Sequence, residues 1–249
     1  MQSISVASFN LHWGRRPKVY TPFDVVDACR ELDADLLGLQ EVWRPDGERS
    51  VADEVASALG YDVHHCWTGR AIVDPKCHLL ARAHEPVGDG DWGHALLSRV
   101  PHGPVVEHRL RGFVRDPVDR AVVTTEVPLD AGNVTVCVSH FPHLEHFSPL
   151  LRWRLRGVVP DVHQPGVLMG DLNMWRWVAR FVLPGWRDTV RGATWPAPRP
   201  FFEIDHVLAT PSVDATDAEV VRAGHSDHFP IRARVSLATT GDQQPRSRR

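Results

Sequence analysis

A chain of 249 residues with 43% hydrophobic and 24% charged side chains has the composition of an ordinary folded protein, which excludes global disorder. Its formal net charge of -3 excludes a generally basic surface, although it leaves room for a local basic groove. No run approaches the ~20 apolar residues that cross a bilayer, and the first residues lack the pattern of a signal peptide, so a cytoplasmic location is expected.

Cysteine usage favours reduced thiols. The four cysteines form no CxxC pair, and Cys29 and Cys137 lie within apolar patterns that are typical of buried thiols. A disulfide between Cys66 and Cys77 is the alternative, and it fits a large chain without an export signal less well.

The first predicted element is a strand at residues 3–9, where polar and apolar side chains alternate. A helix follows, with Thr21 as its N-cap, Pro22 at its first helical position and an apolar stripe that ends at Leu32. A short apolar strand at residues 36–39 comes next. The chain therefore starts as strand, helix, strand.

Further strands and helices follow along the chain. A helix is predicted from Ser50 to Leu59, because apolar residues recur every four positions and Gly60 can end it. Helical patterns also occur at residues 148–156 and 175–182. The remaining strands are predicted at residues 95–97, 105–110, 121–127, 134–139, 167–169, 204–209 and 231–235.

The predicted strands outnumber the helices and do not alternate with them strictly. This order favours an α+β or layered architecture over a doubly wound parallel sheet. We expect a single domain over residues 1–238, and the chain is expected to be a monomer. Residues 239–249 have no apolar periodicity and are predicted to be a disordered tail.

Polar side chains of the kinds used in catalysis gather at the ends of these strands. They are Asn10, Glu41, His140, Asp171, Asn173, Asp205, Asp227 and His228. Because a rigid sheet can aim side chains from several strand ends at one cleft, we expect these residues to form one site.

The residue types in this set suit hydrolysis of a phosphate ester. That reaction needs a hard cation to neutralise charge, a group that positions or deprotonates water, and donors for the phosphate oxygens. Mg²⁺ prefers oxygen ligands, which Asn10, Glu41 and Asp227 can supply. His140 and His228 can transfer protons near neutral pH.

Seven short motifs carry a resemblance to a known superfamily. They are Ser8-Phe9-Asn10-Leu11-His12, Leu39-Gln40-Glu41-Val42, Ala95-Leu96-Leu97-Ser98-Arg99, Ser139-His140-Phe141, Gly170-Asp171-Leu172-Asn173, Ile204-Asp205-His206-Val207 and Ser226-Asp227-His228-Phe229-Pro230. In this order, over residues 3–236, the chain resembles the endonuclease/exonuclease/phosphatase superfamily, typified by pancreatic deoxyribonuclease. The resemblance implies a four-layer α/β sandwich, with two mixed β-sheets packed face to face and helices outside.

The resemblance also implies a metal site. Glu41 is expected to be the principal metal carboxylate, with Asn10 and Asp227 near the same ion. The implied cofactor is Mg²⁺, with Mn²⁺ as a possible substitute.

The remaining members of the set are implied to handle water, phosphate and protons. Asp171 and Asn173 would position the attacking water and the phosphate. Asp205 would orient His228, and this dyad would act together with His140 during an in-line displacement. Between Asp171 and His228 as the general base, we favour His228, because an imidazole oriented by an Asp has the better-matched pKa.

Four further residues are candidate substrate contacts. His94 stands where the family usually carries Asn, and Arg120 is a candidate phosphate contact whose alternative is an exposed salt bridge. Trp195 and Arg199 belong to an aromatic and proline-rich stretch that could grip substrate or simply form a stiff loop. His12 stands where some nucleases have an acid, which argues against a two-metal arrangement.

Ordinary structural roles are the alternatives for several of these positions. Glu41 could be an exposed acid at a strand end, and Asp171 and Asn173 could cap the helix that follows them. The tryptophans at residue 153 and within residues 175–177 are expected in the core.

The substrate is less well specified than the chemistry. Without an accessory domain or a broad basic stripe, a small or lipid-type phosphodiester or phosphomonoester is slightly favoured. The alternative is a DNA or RNA endonuclease or exonuclease. A non-catalytic phosphate-binding module of the same fold is a third, less favoured reading.

Overall fold

The computed structural model describes most of the chain. The described residues are 2–73, 79–82, 89–110, 119–142 and 149–238. Cys77 and the predicted tail at 239–249 lie outside them.

Strands make up most of the described structure. The strands are β1 (Ser3–Asn10), β2 (Leu36–Pro45), β3 (Asp62–Val73), β4 (Leu79–Arg82), β5 (Gly90–Ser98), β6 (Val106–Leu110), β7 (Arg120–Leu129), β8 (Gly132–His140), β9 (Gly166–Asp171), β10 (Arg187–Asp188), β11 (Asp205–Ala209), β12 (Val213–Val220) and β13 (Ile231–Leu237). The helices are α1 (Val25–Leu32), α2 (Val51–Leu59), α3 (Pro149–Leu155) and α4 (Arg176–Val182), with a short 3-10 turn at His12–Gly14. No helix within the described ranges is long and apolar enough to span a membrane.

The strands form two mixed sheets. The first has the order β12-β13-β1-β2-β5-β3-β4, and the second has the order β10-β11-β9-β8-β7-β6. Each sheet contains a parallel pair, β1 with β2 and β8 with β9, and the other described pairs are antiparallel. The parallel pairs matter for function because the carboxyl ends of neighbouring parallel strands meet at one edge of a sheet.

Apolar side chains pack in three clusters that define four layers. The largest lies between the two sheets, with members such as Ile4, Val138 and Val235. A second joins α1 and α2 to the outer face of the first sheet, and a third joins α3 and α4 to the outer face of the second. The predicted four-layer α/β sandwich is confirmed.

The first helix begins later than the sequence pattern suggests. Thr21 and Pro22 do not open it; Pro22 instead forms an isolated bridge with Arg15. The helix starts at Val25, because the Asp24 carboxylate accepts a hydrogen bond from the Asp27 backbone N–H and caps the first turn. The prediction for the second helix is confirmed, since Ser50 caps it and Gly60 ends it in the left-handed conformation.

Cys29, Cys66 and Cys137 are buried and free. Cys77, the partner of Cys66 in the disulfide alternative, lies outside the described residues. Burial raises the pKa of the Cys29 thiol to about 12 and raises the pKa values of the other two thiols as well.

A buried histidine fastens the second sheet to the segment before α4. The His206 ring lies 2.8 Å through Nδ1 from Asp188 Oδ2 and 2.7 Å through Nε2 from the Met174 carbonyl oxygen. Both neighbours only accept hydrogen bonds, so both ring nitrogens donate and the ring is an imidazolium. Burial lowers its pKa, but Asp188 and the Met174 carbonyl outweigh burial and raise it above the ordinary value of 6.5.

We expect His206→Gln to lower the free energy of unfolding by about 1.5–3 kcal/mol at pH 6, the range for hydrogen bonds to charged groups. Because the folded-state pKa is raised, this contribution is complete below the unfolded value of 6.5 and is lost as pH rises through the folded value. The difference in free energy of unfolding between the wild type and the His206→Gln variant should therefore become smaller toward alkaline pH. Urea unfolding across that range measures it, and a difference that widens with pH would contradict the imidazolium assignment.

Candidate active site

The predicted site residues converge at one end of the sandwich. Asn10, His140 and Asp171 are the last residues of β1, β8 and β9, and Asp205 is the first residue of the antiparallel β11. Strand register pairs Asp171 with His140 on one side and with Asp205 on the other. Three side chains from adjacent strands therefore lie side by side.

Glu41 reaches the site by a different route, because β2 continues past it to Pro45. The register of β2 against β5 shifts between Leu39 and Val42, and Glu41 has a left-handed φ of 53°. A β-bulge of this kind re-aims a side chain without ending the strand. Opposite the bulge, a Cβ at Gly93 would collide with the Cys66 carbonyl oxygen, so this close approach requires glycine.

The amide of Asn10 connects the two sheets. Its Nδ2 donates to Glu41 Oε1 at 3.2 Å and to Asp171 Oδ2 at 3.0 Å. Its Oδ1 accepts the backbone N–H of His12 at 3.0 Å. One uncharged side chain thus fixes two carboxylates of the site.

Asp205 and His228 form a buried dyad. His228 Nδ1 lies 2.8 Å from Asp205 Oδ2, and its Nε2 faces Asp171 Oδ2 at 3.7 Å. His140 Nε2 approaches the same Asp171 oxygen at 3.5 Å. Asp171 is therefore the acceptor on which two imidazoles converge.

The pKa values of Asp171 and Asp205 are shifted in opposite directions. Burial opposes charge on Asp171, but His228, His140 and the Asn10 amide hold its pKa below the ordinary value. Burial and the neighbouring Asp171 raise the pKa of Asp205. Although burial opposes its charge, Asp205 and Asp171 together raise the pKa of His228 to about 10.

Two sets of residues could hold a cation. Oxygen and nitrogen atoms of Asp171, Asp205 and His228 lie within 4.8 Å of one another. However, His228 Nδ1 already bonds to Asp205. The predicted set is Asn10, Glu41 and Asp227, whose donors are oxygens. Asp227 belongs to the same end of the fold, because the neighbouring Ser226 hydroxyl donates to the Asn10 carbonyl at 2.7 Å.

Asn173 supports Asp171. Its backbone N–H donates to Asp171 Oδ1 at 2.9 Å, and its side-chain Nδ2 donates to the Phe141 carbonyl at 3.0 Å. The following helix begins at Arg176 with Trp175 as its N-cap. Asp171 and Asn173 therefore do not cap this helix, although the bond between them forms a local turn.

Two of the four candidate substrate contacts are buried. Arg120 is 5% exposed, lies over the Trp92 ring and donates to the His140 carbonyl at 3.4 Å, so the exposed-salt-bridge alternative is wrong. His94 is 1% exposed, and burial together with the nearby His140 lowers its pKa to about 3. His94 is thus a buried neutral ring in the neighbourhood of His140.

The two candidate contacts in the proline-rich loop, Trp195 and Arg199, differ in their surroundings. Trp195 Nε1 donates to Asp227 Oδ2 at 3.1 Å, and its ring lies 6.4 Å from the His228 ring. Arg199 is exposed and makes no hydrogen bond or ion pair within the described ranges. The structure therefore brings Trp195 to Asp227 and His228, whereas no contact among the described residues ties the Arg199 side chain to the site.

Ser226 and Trp92 also belong to the site, although neither was predicted as a site residue from the sequence. Ser226 is buried, and its hydroxyl accepts the His228 backbone N–H in addition to donating to Asn10. Its place in the Ser-Asp-His motif was the available signal. Trp92 packs against the His140 ring at 5.6 Å, and no local pattern indicates that contact.

The comparison with family models decides the family. The model of the endonuclease/exonuclease/phosphatase family matches residues 7–228. The chain belongs to this family. Its members are generally hydrolases that act on phosphoester bonds. Among curated proteins the comparison finds no match.

Solved structures share the endonuclease/exonuclease/phosphatase fold. A family protein from Beutenbergia cavernae is 22% identical, with a TM-score of 0.77 over 96% of this chain and 72% of that chain. The human Nocturnin catalytic domain with bound sulfate is 15% identical, with a TM-score of 0.66 over 95% and 96% of the two chains. The TDP2 protein of D. rerio, complexed with single-strand DNA product, is 15% identical, with a TM-score of 0.60 over 94% and 99%.

The charge state of the Asp205–His228 dyad can be measured without an activity assay. In protein freed of metal with EDTA, we expect His228 to stay protonated at neutral pH, and Asp205→Asn to lower its pKa by about 1–3 pH units. Nitrogen-15 spectra of the histidine rings during a pH titration measure this. The exposed His163 serves as the internal control. A wild-type His228 that titrates near 6.5 would contradict the charge arrangement.

Proposed function

We propose that the protein is a divalent-metal-dependent phosphoesterase that hydrolyses a phosphodiester or phosphomonoester by in-line attack of water. The observation that carries this proposal is the buried array of Asp205, His228 and Asp171, linked by the Asn10 amide to Glu41. Burial opposes the charges of these two aspartates and this histidine, and titratable groups clustered against that cost are characteristic of functional sites.

The donor set fits a hard cation. Glu41 and Asp227 offer carboxylate oxygens and Asn10 an amide oxygen, which suit Mg²⁺ and also Mn²⁺. Asn10 Nδ2 binds Glu41 Oε1, which orients the carboxylate. When bound, the ion would neutralise charge on the phosphate oxygens.

The protein's own side chains would then handle water and protons. Asp171 is held ionised and hydrogen-bonded on both oxygens, so it can position a water and accept its proton. The raised pKa of His228 suits donation to a phosphate oxygen, with Asp205 fixing the ring. A His228 with a raised pKa is protonated and therefore unsuited to act as the base, which argues against the assignment preferred from the sequence.

His140 and Arg120 would complete the phosphate environment. His140 Nε2 faces Asp171, and the His140 carbonyl accepts from Arg120. Arg120 therefore acts on the site through the β8 end. His94 would take part as a buried neutral ring. Arg199 is exposed, so it would contact a substrate that extends over the surface.

Hydrolysis of bis(p-nitrophenyl) phosphate with Mg²⁺ or Mn²⁺ tests the proposal. Activity should disappear with EDTA, and Glu41→Gln and His228→Asn should each lower kcat/KM by about 10²–10⁴-fold. The matched controls are Glu48→Gln and His163→Asn, which alter exposed residues of the same types. A wild type that stays inert with several divalent ions would favour the non-catalytic binding module.

A panel of natural esters separates the substrate classes. Plasmid DNA, abasic duplex, RNA, sphingomyelin and inositol phosphates would each be assayed with both metals. Dominant nicking of plasmid DNA would favour the nuclease alternative over the small or lipid-type substrate.

Trp195 gives a prediction about metal affinity. Trp195→Phe keeps an aromatic ring but removes the N–H that holds Asp227 Oδ2. We expect Mn²⁺ affinity, measured by isothermal titration calorimetry, to fall about 10–100-fold, as for other groups that orient a metal ligand. Trp153→Phe is the control, because Trp153 is exposed on α3. Unchanged affinity in the Trp195 variant would remove Asp227 from the proposed metal set.

A further inference from the structure

Exposed aromatic rings gather beside the site on and around α4. We call this set the aromatic patch: Trp175, Trp177, Phe181 and Phe201, with 44%, 57%, 51% and 67% of their surfaces exposed. The expectation that Trp175 and Trp177 belong to the core is wrong, as it is for Trp153, which is 66% exposed. Clustered exposed apolar side chains of this size mark a binding surface more often than a folding requirement.

The packing of α4 does not need these rings. Its inner face is formed by Val178, Ala179 and Val182, which are buried in the third apolar cluster. Trp177 and Phe181 lie one turn apart on the outer face, where a soluble helix normally carries polar residues. Burial of α4 in the third cluster therefore does not depend on Trp177 and Phe181, whose described contacts are with Trp175 and Arg152.

A row of rings joins the patch to the site. Trp175 lies 6.0 Å from Phe202, Phe202 lies 5.7 Å from Trp195, and Trp195 lies 6.4 Å from the His228 ring. A cleft of about 550 Å³ opens between Trp175, Trp177, Phe201 and Phe202. A molecule with its phosphoester at His228 would thus have apolar surface next to it.

The charges around the patch are positive. Arg180, Arg187 and Arg191 line a neighbouring cavity of about 450 Å³, and none of them forms an ion pair with an acid of the described residues. Asp188 lines the same cavity and Glu203 lines the aromatic cleft, and both of these acids pair with Arg176. The surface therefore complements an anionic partner.

We propose that this face docks the protein on an anionic lipid–water interface. Trp and Phe rings partition into the boundary between head groups and acyl chains, and arginines bind head-group phosphates. An exposed aromatic face bordered by arginines is the pattern of helices that lie in such an interface. The consequence for catalysis, presentation of a lipid phosphoester to His228, rests on the proposed function, whereas the docking itself does not.

Single-stranded nucleic acid also binds to rings and cations, but it fits this face less well. Bases stack on ring faces that are open. Here Phe202 stacks with both Trp175 and Trp195, so the inner ring faces are covered by one another. Trp177, Phe181 and Phe201 protrude from the outer surface, with 57%, 51% and 67% of their surfaces exposed, and such protruding side chains suit insertion into a lipid interface.

Co-sedimentation with vesicles in EDTA tests the docking without turnover. Wild type should bind vesicles of phosphatidylcholine mixed with an equal amount of phosphatidylglycerol more tightly than vesicles of phosphatidylcholine alone. Trp177→Ala/Phe181→Ala should weaken binding about tenfold or more. Arg180→Gln/Arg191→Gln should weaken it about fivefold or more and reduce its salt dependence.

The matched controls are Trp153→Ala, an exposed tryptophan outside the patch, and Arg234→Gln, a half-exposed arginine on β13. Phe201→Ala is a second patch variant in case the double variant fails to fold, as judged by circular dichroism. Absence of wild-type vesicle binding, or equal losses in patch and control variants, would overturn the proposal.

Two other outcomes would replace lipid as the partner. If patch variants lose binding to a fluorescent single-stranded oligonucleotide while vesicles are not bound, the surface belongs to nucleic acid. If Trp177→Ala/Phe181→Ala converts a dimer to a monomer in light scattering, the patch is an interface between two copies. Wild-type hydrolysis of bis(p-nitrophenyl) phosphate is measured separately, so a failure of the proposed chemistry is distinguishable from a failure of docking.

Discussion

The shared hydrogen bonds of Asn10 Nδ2 hold the site together. One amide group joins Glu41 of the first sheet to Asp171 of the second. Carboxylates at the facing ends of two sheets would repel each other, and a third carboxylate between them would add to the repulsion. An amide supplies two N–H donors and no charge, so it can satisfy both acids at once. A leucine of similar size would leave both without that donor in a buried place.

The four buried titratable groups of the site compensate one another's charges. Asp171, Asp205, His140 and His228 are all nearly inaccessible to water, and burial alone disfavours each charge. Asp171 is compensated by an amide, a backbone N–H and two imidazoles, whereas the charged partner of Asp205 within the described part of the chain is His228. Two carboxylates in adjacent strands therefore have pKa values displaced in opposite directions, which separates an ionised group from an orienting one.

The sequence predicted most of the fold and the membership of the site, but not how each member gets there. Strands with period-two alternation or a buried apolar run, such as β1 and β9, were found because their pattern is local. The edge strand β12 contains Asp214 and Asp217 and bends at a bulge, so its residues resemble a loop. The bulge at Glu41 could not be predicted from local sequence, because strand register depends on the partner strand. The exposure of Trp177 was not predicted, because residue type alone does not show whether an aromatic ring faces the core or the solvent.

Trp195 ties the chemistry to the surface. Its N–H holds Asp227, while its ring stacks on Phe202, which in turn contacts Trp175 of the aromatic patch. The buried array is built from strand ends and defines which bond can be broken. The patch is built from a helix face and a loop, which carry fewer packing constraints and are freer to differ between relatives. Because Trp195 contacts Asp227 directly and the patch through Phe202, substitutions in the patch and in the metal set will not be energetically independent, and coupling between them should pass through Trp195.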